Sequence, residues 1–261
     1  RLLNDFAAGR TGHLTMDVAD ATRAHRASLN PATYLGDDAA PLKRPKFLAI
    51  VSLHVLASYL AREDDVRPDG FVVEGPRAGG HSAPHRGKVL LDADGDPVYG
   101  AKDEADLTKV AQTGLPFWLA GGYGTPDKVA EALAAGAAGV QVGTLFAMAA
   151  ESGLRADLRQ RLLAELGAGQ LVVRNDPLAS PTGFPFKVAV LEGSLSQPEV
   201  YAARNRICDL GYLRSPAERP DGSVVYRCPA DQVEMYVKKG GQVADTVGRK
   251  CLCNALFADI G

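Results

Sequence analysis

The chain reads as an α/β fold built on a parallel sheet, and three observations point there. Short apolar runs alternate with helical patterns through residues 46–150, the signature of strands joined by crossover helices. Glycine-rich turns close several of these runs. The runs start near residues 47, 70, 116 and 139, so the middle interval is about twice the others and the pattern is a βα repeat carrying one insertion.

Each element has its own reason. Lys46–Ser52 is a strand candidate, followed by a helix through Val55, Leu56, Tyr59 and Leu60. Phe71–Val73 is the second strand and Pro116–Ala120 the third. After Gly121-Gly-Tyr-Gly124 a helix opens with Thr125 as N-cap and Pro126 at its first position, where a missing N–H costs nothing. Gly139–Val142 is the fourth strand, leading through Gly143 and Thr144 into Leu145–Ala149. Within the insertion, Val89–Asp92 and Pro97–Tyr99 flank Asp94-Gly95, a turn signal that predicts a β-ribbon near 88–100. Asp92, Asp94 and Asp96 do not make a calcium loop, because Pro97 stands where the glycine belongs and no Glu closes the loop.

Residues 1–150 are therefore expected to hold four βα units, and residues 151–261 a helical or irregular region. Helices are expected there near 154–166, 197–206 and 230–239. With 261 residues, 46% of them hydrophobic and 23% charged, the chain has the composition of a globular protein. A net charge of −2 gives no pull toward nucleic acid. No apolar run approaches the ~20 residues of a membrane span, and Arg1-Leu-Leu-Asn-Asp-Phe6 is unlike a secretory signal, so a cytoplasmic location is the default expectation.

Three glycine-containing segments fall at predicted strand ends, where parallel α/β folds bind ligands. In Glu74-Gly-Pro-Arg-Ala-Gly-Gly-His81, Gly79 and Gly80 let a flat or anionic group approach the backbone, and His81 can exchange a proton near neutral pH. Ala120-Gly-Gly-Tyr-Gly124 precedes a helix start, a ready anion site. Gly139-Val-Gln-Val-Gly-Thr144 repeats the arrangement on the next strand. Neither turn ends in Gly-Lys-Ser/Thr, which excludes a nucleotide P-loop.

In this order, ending successive strands, these segments resemble the nitronate monooxygenase family, formerly 2-nitropropane dioxygenases, and its sister group of FMN-dependent enoyl reductases. The resemblance covers residues 46–150 and, more faintly, Thr182-Gly183. It implies a (β/α)8 TIM-barrel fold of which only about four βα units, the C-terminal half, are evident. The non-Met start, Arg1, suggests that an N-terminal half lies outside this sequence. The resemblance also implies an FMN cofactor held by Gly79, Gly80, Gly121, Gly122, Gln141, Val142, Gly143 and Thr144, with His81 as the catalytic base. Glu74 stands where many relatives carry Gln, placing a carboxylate beside the flavin.

The implied activity is oxidation of a nitronate or similar carbon acid with oxygen, on a small-molecule substrate and without nucleic acid or membrane. Two alternatives are an enoyl reductase drawing hydride from NAD(P)H and a non-catalytic domain with a structural metal held by cysteine. Self-association as a homo-oligomer is left open. All four cysteines, Cys208, Cys228, Cys251 and Cys253, lie in the last 54 residues. Cys-Leu-Cys is one residue short of the usual knuckle, so buried thiols are expected there and no metal is assigned. A His81–His85 zinc pair is disfavoured by the intervening Pro84, and His54 is expected at the edge of the core or of the pocket.

Overall fold

The computed structural model describes residues 1–36 and 40–260. The strands are β1 (Gly12–Met16), β2 (His25–Leu29), β3 (Leu48–Val51), β4 (Gly70–Glu74), β5 (Phe117–Ala120), β6 (Gly139–Gln141), β7 (Val173–Asp176), β8 (Phe186–Ala189), β9 (Ser215–Glu218) and β10 (Val224–Arg227). The helices are α1 (Leu2–Ala7), α2 (Ala32–Leu35), α3 (His54–Ala61), α4 (Leu107–Ala111), α5 (Pro126–Ala134), α6 (Thr144–Ala147), α7 (Ala156–Gly167), α8 (Pro198–Ala203), α9 (Val233–Lys238) and α10 (Leu252–Ile260).

The centre is the expected parallel sheet, in strand order β3-β4-β5-β6. Its apolar residues form the main core. Ala49, Val51, Phe71, Val73, Phe117 and Leu119 meet Ala57 of α3, Val110 of α4 and Ala132 of α5, so the three helices lie on one face. Phe71 and Val110 are fully buried, each contributing roughly 1.5–3 kcal/mol by leaving water. The opposite face carries Leu48, Ile50, Val72 and Trp118, and Ile50 is 60% exposed. In a closed barrel this face is the packed interior. Four strands form an open sheet with free edges at β3 and β6, a mixed α/β arrangement matching part of a (β/α)8 barrel.

Several expectations are refined. The ribbon near 88–100 shrinks to a single bridge, Leu91 with Pro97. Asp92 instead accepts the N–H groups of Asp94 and Asp96, and a side-chain-capped turn replaces longer strand pairing. Residues 151–261 are less irregular than predicted, since β7–β8 and β9–β10 are antiparallel hairpins. Residues 1–35 lie outside the βα units. There β1 and β2 pair with each other, Ala19 bridges Ala217, and His25 Nε2 meets Glu218 Oε2 at 2.5 Å. The N-terminal segment is thereby tied to the C-terminal hairpin, while Asn4 of α1 also bonds the Asp65 carbonyl and Arg44 beside the sheet.

Candidate functional site

Glu74 and Gln141 end β4 and β6, separated by the last residue of β5. The register pairs Glu74 with Ala120 and Ala120 with Gln141, which puts all three on the face opposite the helices. Because Ala120 is small, the longer side chains meet across it: Gln141 Nε2 donates to Glu74 Oε1 at 3.0 Å. This explains how a carboxylate is tolerated at position 74. It accepts the amide hydrogen and turns the amide oxygen of Gln141 away from itself.

The glycines divide into two kinds. Gly121 has φ +94°, and a Cβ there would sit 2.5 Å from the backbone nitrogen of Ala78. It is glycine because the β5 turn must pack against the 77–78 backbone, so its role is structural. Gly79, Gly80, Gly122 and Gly143 have nothing within 4 Å of an added Cβ. Gly80 and Gly122 also need positive φ, at +70° and +83°. The N–H groups of Gly122, Tyr123, Gly124 and Gly143 donate to no backbone acceptor among the described residues. Open space in front of unspent amides suits an anionic group. The residues present therefore fit a phosphate-bearing cofactor.

His81 lies in a different setting from the open loop predicted. Its Nε2 is 2.7 Å from Ser180 Oγ, and its ring packs edge-on against Phe186 at 4.9 Å. Ser82 N–H donates to the Pro185 carbonyl and Lys187 N–H to that of Gly80, so the diglycine loop runs as an edge along the start of β8. Ser180 is fully buried and its Oγ also accepts from the Thr182 N–H. Desolvation pushes the His81 imidazole below its ordinary pKa, the direction that favours the neutral form a base needs. Sequence reasoning missed Ser180; the only signal was its place in the Pro/Gly-punctuated run Ser180-Pro-Thr-Gly183.

Not all the expected residues converge. A cleft of about 240 Å³ opens at the ends of β4 and β5, lined by Gly75, Arg77, Glu104, Gly122, Tyr123 and Lys128 among others. Val73, Leu107 and Leu119 also line it, which places it on the helix side of the sheet. His81, Gly79, Gly80, Gln141, Val142, Gly143 and Thr144 do not border it. His54 is a structural residue whose Nδ1 accepts from the Asp106 N–H at the start of α4. His85 lies 3.8 Å from Asp103.

The nitronate monooxygenase family model matches residues 19–176. A Mycobacterium tuberculosis protein, (3aS,4S,5R,7aS)-5-hydroxy-7a-methyl-1-oxo-octahydro-1H-indene-4-carboxyl-CoA dehydrogenase, is 34% identical over 95 residues, covering 36% of this chain and 23% of that protein. Among solved structures, nitroalkane oxidase from Streptomyces ansochromogenes is 26% identical with a TM-score of 0.40, covering 55% of this chain and 38% of its own. FabK from Thermotoga maritima is 23% identical with a TM-score of 0.39, covering 60% and 41%. The chain thus spans less than half the length of each of these relatives. The family match covers more than half of the chain, from just before β2 through the sheet to the end of β7, and the chain belongs to the nitronate monooxygenase family.

Proposed function

We propose that this chain carries part of the site of an FMN-dependent oxidoreductase acting on a nitronate or related carbon acid. The observation that carries the reading is the set of open glycine turns, Gly79-Gly80, Gly122 and Gly143, at the ends of neighbouring parallel strands. Gly122 and Gly143-Thr144 would take the cofactor phosphate on their free N–H groups, while Gly79 and Gly80 leave room for a flat ring. Gln141, with Val142 beside it, would turn toward the cofactor the amide oxygen that Glu74 leaves free. His81, held by Ser180, would accept a proton from, or orient, the substrate carbon acid. FMN, when bound, would supply the redox chemistry between substrate and oxygen.

Titration of the chain with FMN, followed by quenching of flavin fluorescence, tests the reading. Saturable binding that weakens in Gly122→Val supports it. No binding, or binding indifferent to that substitution, overturns it. Anaerobic mixing of the flavin-loaded protein with an alkyl nitronate or with NADPH then separates nitronate oxidation from enoyl-reductase chemistry, according to which reagent bleaches the flavin.

A further inference from the structure

The four cysteines enter nothing proposed so far, yet the fold gathers the segments that bear them. Cys208 follows α8, Cys228 follows β10, and Cys251 and Cys253 flank the start of α10. Arg206 reaches from beside Cys208 to the carbonyls of Pro229 and Asp231, at 3.3 and 3.4 Å, and to that of Thr246 at 3.0 Å. Asn254, next to Cys253, donates to the Ile207 carbonyl at 3.4 Å and to Asp209 Oδ1 at 2.9 Å. Arg204 binds the Arg249 carbonyl at 3.0 Å. Arg214 Nε donates to Cys208 Sγ at 3.4 Å, and its Nη2 to the Cys208 carbonyl. Two arginines and an asparagine thus stitch the cysteine-bearing segments together, and a third arginine holds Cys208.

The thiols are free, and that of Cys228 is buried. The region around them has little else to hold it. The main apolar cluster draws on residues 49–140, and beyond residue 200 the buried apolar side chains among the described residues, Ala217, Cys228, Ala230, Tyr236 and Leu252, lie outside it. Short elements without a core need a cross-link. No disulfide joins these cysteines.

We propose that Cys208, Cys228, Cys251 and Cys253 form a structural zinc site that closes the C-terminal region. Zinc is a four-coordinate, thiophilic ion suited to a closed cage of four thiolates, whereas iron–sulfur clusters use tightly spaced cysteine runs that this sequence lacks. Among the described residues no three potential ligands already stand at ligand geometry. The hydrogen bonds above hold together the segments that bear the thiols, and closure on a metal requires the side chains to move. Each thiol surrenders its proton to solvent as its sulfur binds, and the metal–sulfur bond offsets the cost of that ionisation. Arg214 then donates to a thiolate rather than to a thiol, the outer-sphere support such sites use.

The test is metal analysis of the full chain purified without chelator, with mercurial titration of its thiols in the presence of a zinc-sensitive dye. Stoichiometric zinc, released as the thiols react, is expected. Cobalt exchanged for zinc should give thiolate-to-metal charge-transfer absorption. Cys253→Ser, at a half-buried position, should lose most of the zinc while circular dichroism stays near that of the parent. Zinc retained equally by Cys253→Ser and Cys251→Ser, four thiols that react freely with no metal released, or iron with acid-labile sulfide would each overturn the proposal. The outcome is independent of whether FMN binds.

Discussion

Gly121 and Gly122 are neighbours in one turn with similar backbone angles, φ +94° and +83°, so alanine at each position separates backbone strain from crowding. Left-handed φ costs an alanine about 1–2 kcal/mol, and this cost is common to both variants. At Gly122 nothing stands within 4 Å of the new Cβ, so strain is the whole effect. At Gly121 the Cβ would meet Ala78 N at 2.5 Å, Arg77 C at 2.8 Å and Ala78 Cα at 2.9 Å, all backbone atoms that move only with the chain. Overpacking of this kind adds about 1–3 kcal/mol. Gly121→Ala is therefore expected to lose about 2–5 kcal/mol and Gly122→Ala about 1–2 kcal/mol. Urea unfolding of both variants, compared at equal m-values, reads the difference directly. Equal losses within about 0.5 kcal/mol would refute the close approach of the two loops and with it the structural role given to Gly121. FMN titration should rank them differently, because Gly122→Ala intrudes on the open space while barely disturbing the fold.

Four further outcomes follow from the site. His81→Ala should leave FMN affinity nearly unchanged and slow flavin reduction by about 10²–10⁴-fold in anaerobic stopped flow, the range for a lost general base; unchanged reduction would remove His81 from the chemistry. Its lowered pKa fixes a pH trend: the unfolded chain takes the proton first as pH falls below ~6.5. Stability present above that pH should decline as pH falls toward the folded-state value, and parallel melting curves of parent and His81→Phe below ~6.5 would contradict this. Ser180→Ala removes the partner of His81 Nε2 and of the Thr182 N–H. It should cost about 0.5–1.5 kcal/mol in urea unfolding and shift the pH profile of flavin reduction, which a purely structural serine would leave in place. Asp103 is pushed up by burial, but the Gly100 and Arg86 N–H groups and nearby His85 outweigh this and hold its carboxyl below the usual range. Asp103→Asn should lose about 1–3 kcal/mol at neutral pH and progressively less as pH falls through the carboxylate range; a loss independent of pH would refute the ionised pairing.

Much of the sheet was legible because its information is local. Phe71, Val73, Phe117 and Leu119 sit in short apolar runs ended by glycine, and each run became a strand in the expected order. The start of α5 was read at the correct residue for only half of the right reason. Pro126 occupies the first turn as expected, but the Thr125 side chain makes no capping bond. The β9–β10 hairpin could have been read from Pro220-Asp221-Gly222, where Gly222 takes φ +79° and Pro-Asp-Gly is a turn signal with a mechanism. The flanking Ser215–Glu218, interrupted by Pro216, hid it by lacking an apolar alternation.

The setting of His81 was illegible for a different reason, and it bears on how the site works. The Ser180 contact spans 99 residues and depends on a loop between β7 and β8 returning over the end of β4, which no periodicity in the sequence encodes. The hairpin therefore supplies part of the candidate site: Pro185, Phe186 and Lys187 hold the diglycine loop, and Ser180 holds the imidazole. The family match, ending at Asp176, stops four residues short of Ser180. The orientation of the candidate base is thus set by a part of the chain outside the matched segment. Substitutions in Ser180–Lys187 are accordingly expected to change proton transfer at His81 before they change how the glycine turns receive a phosphate.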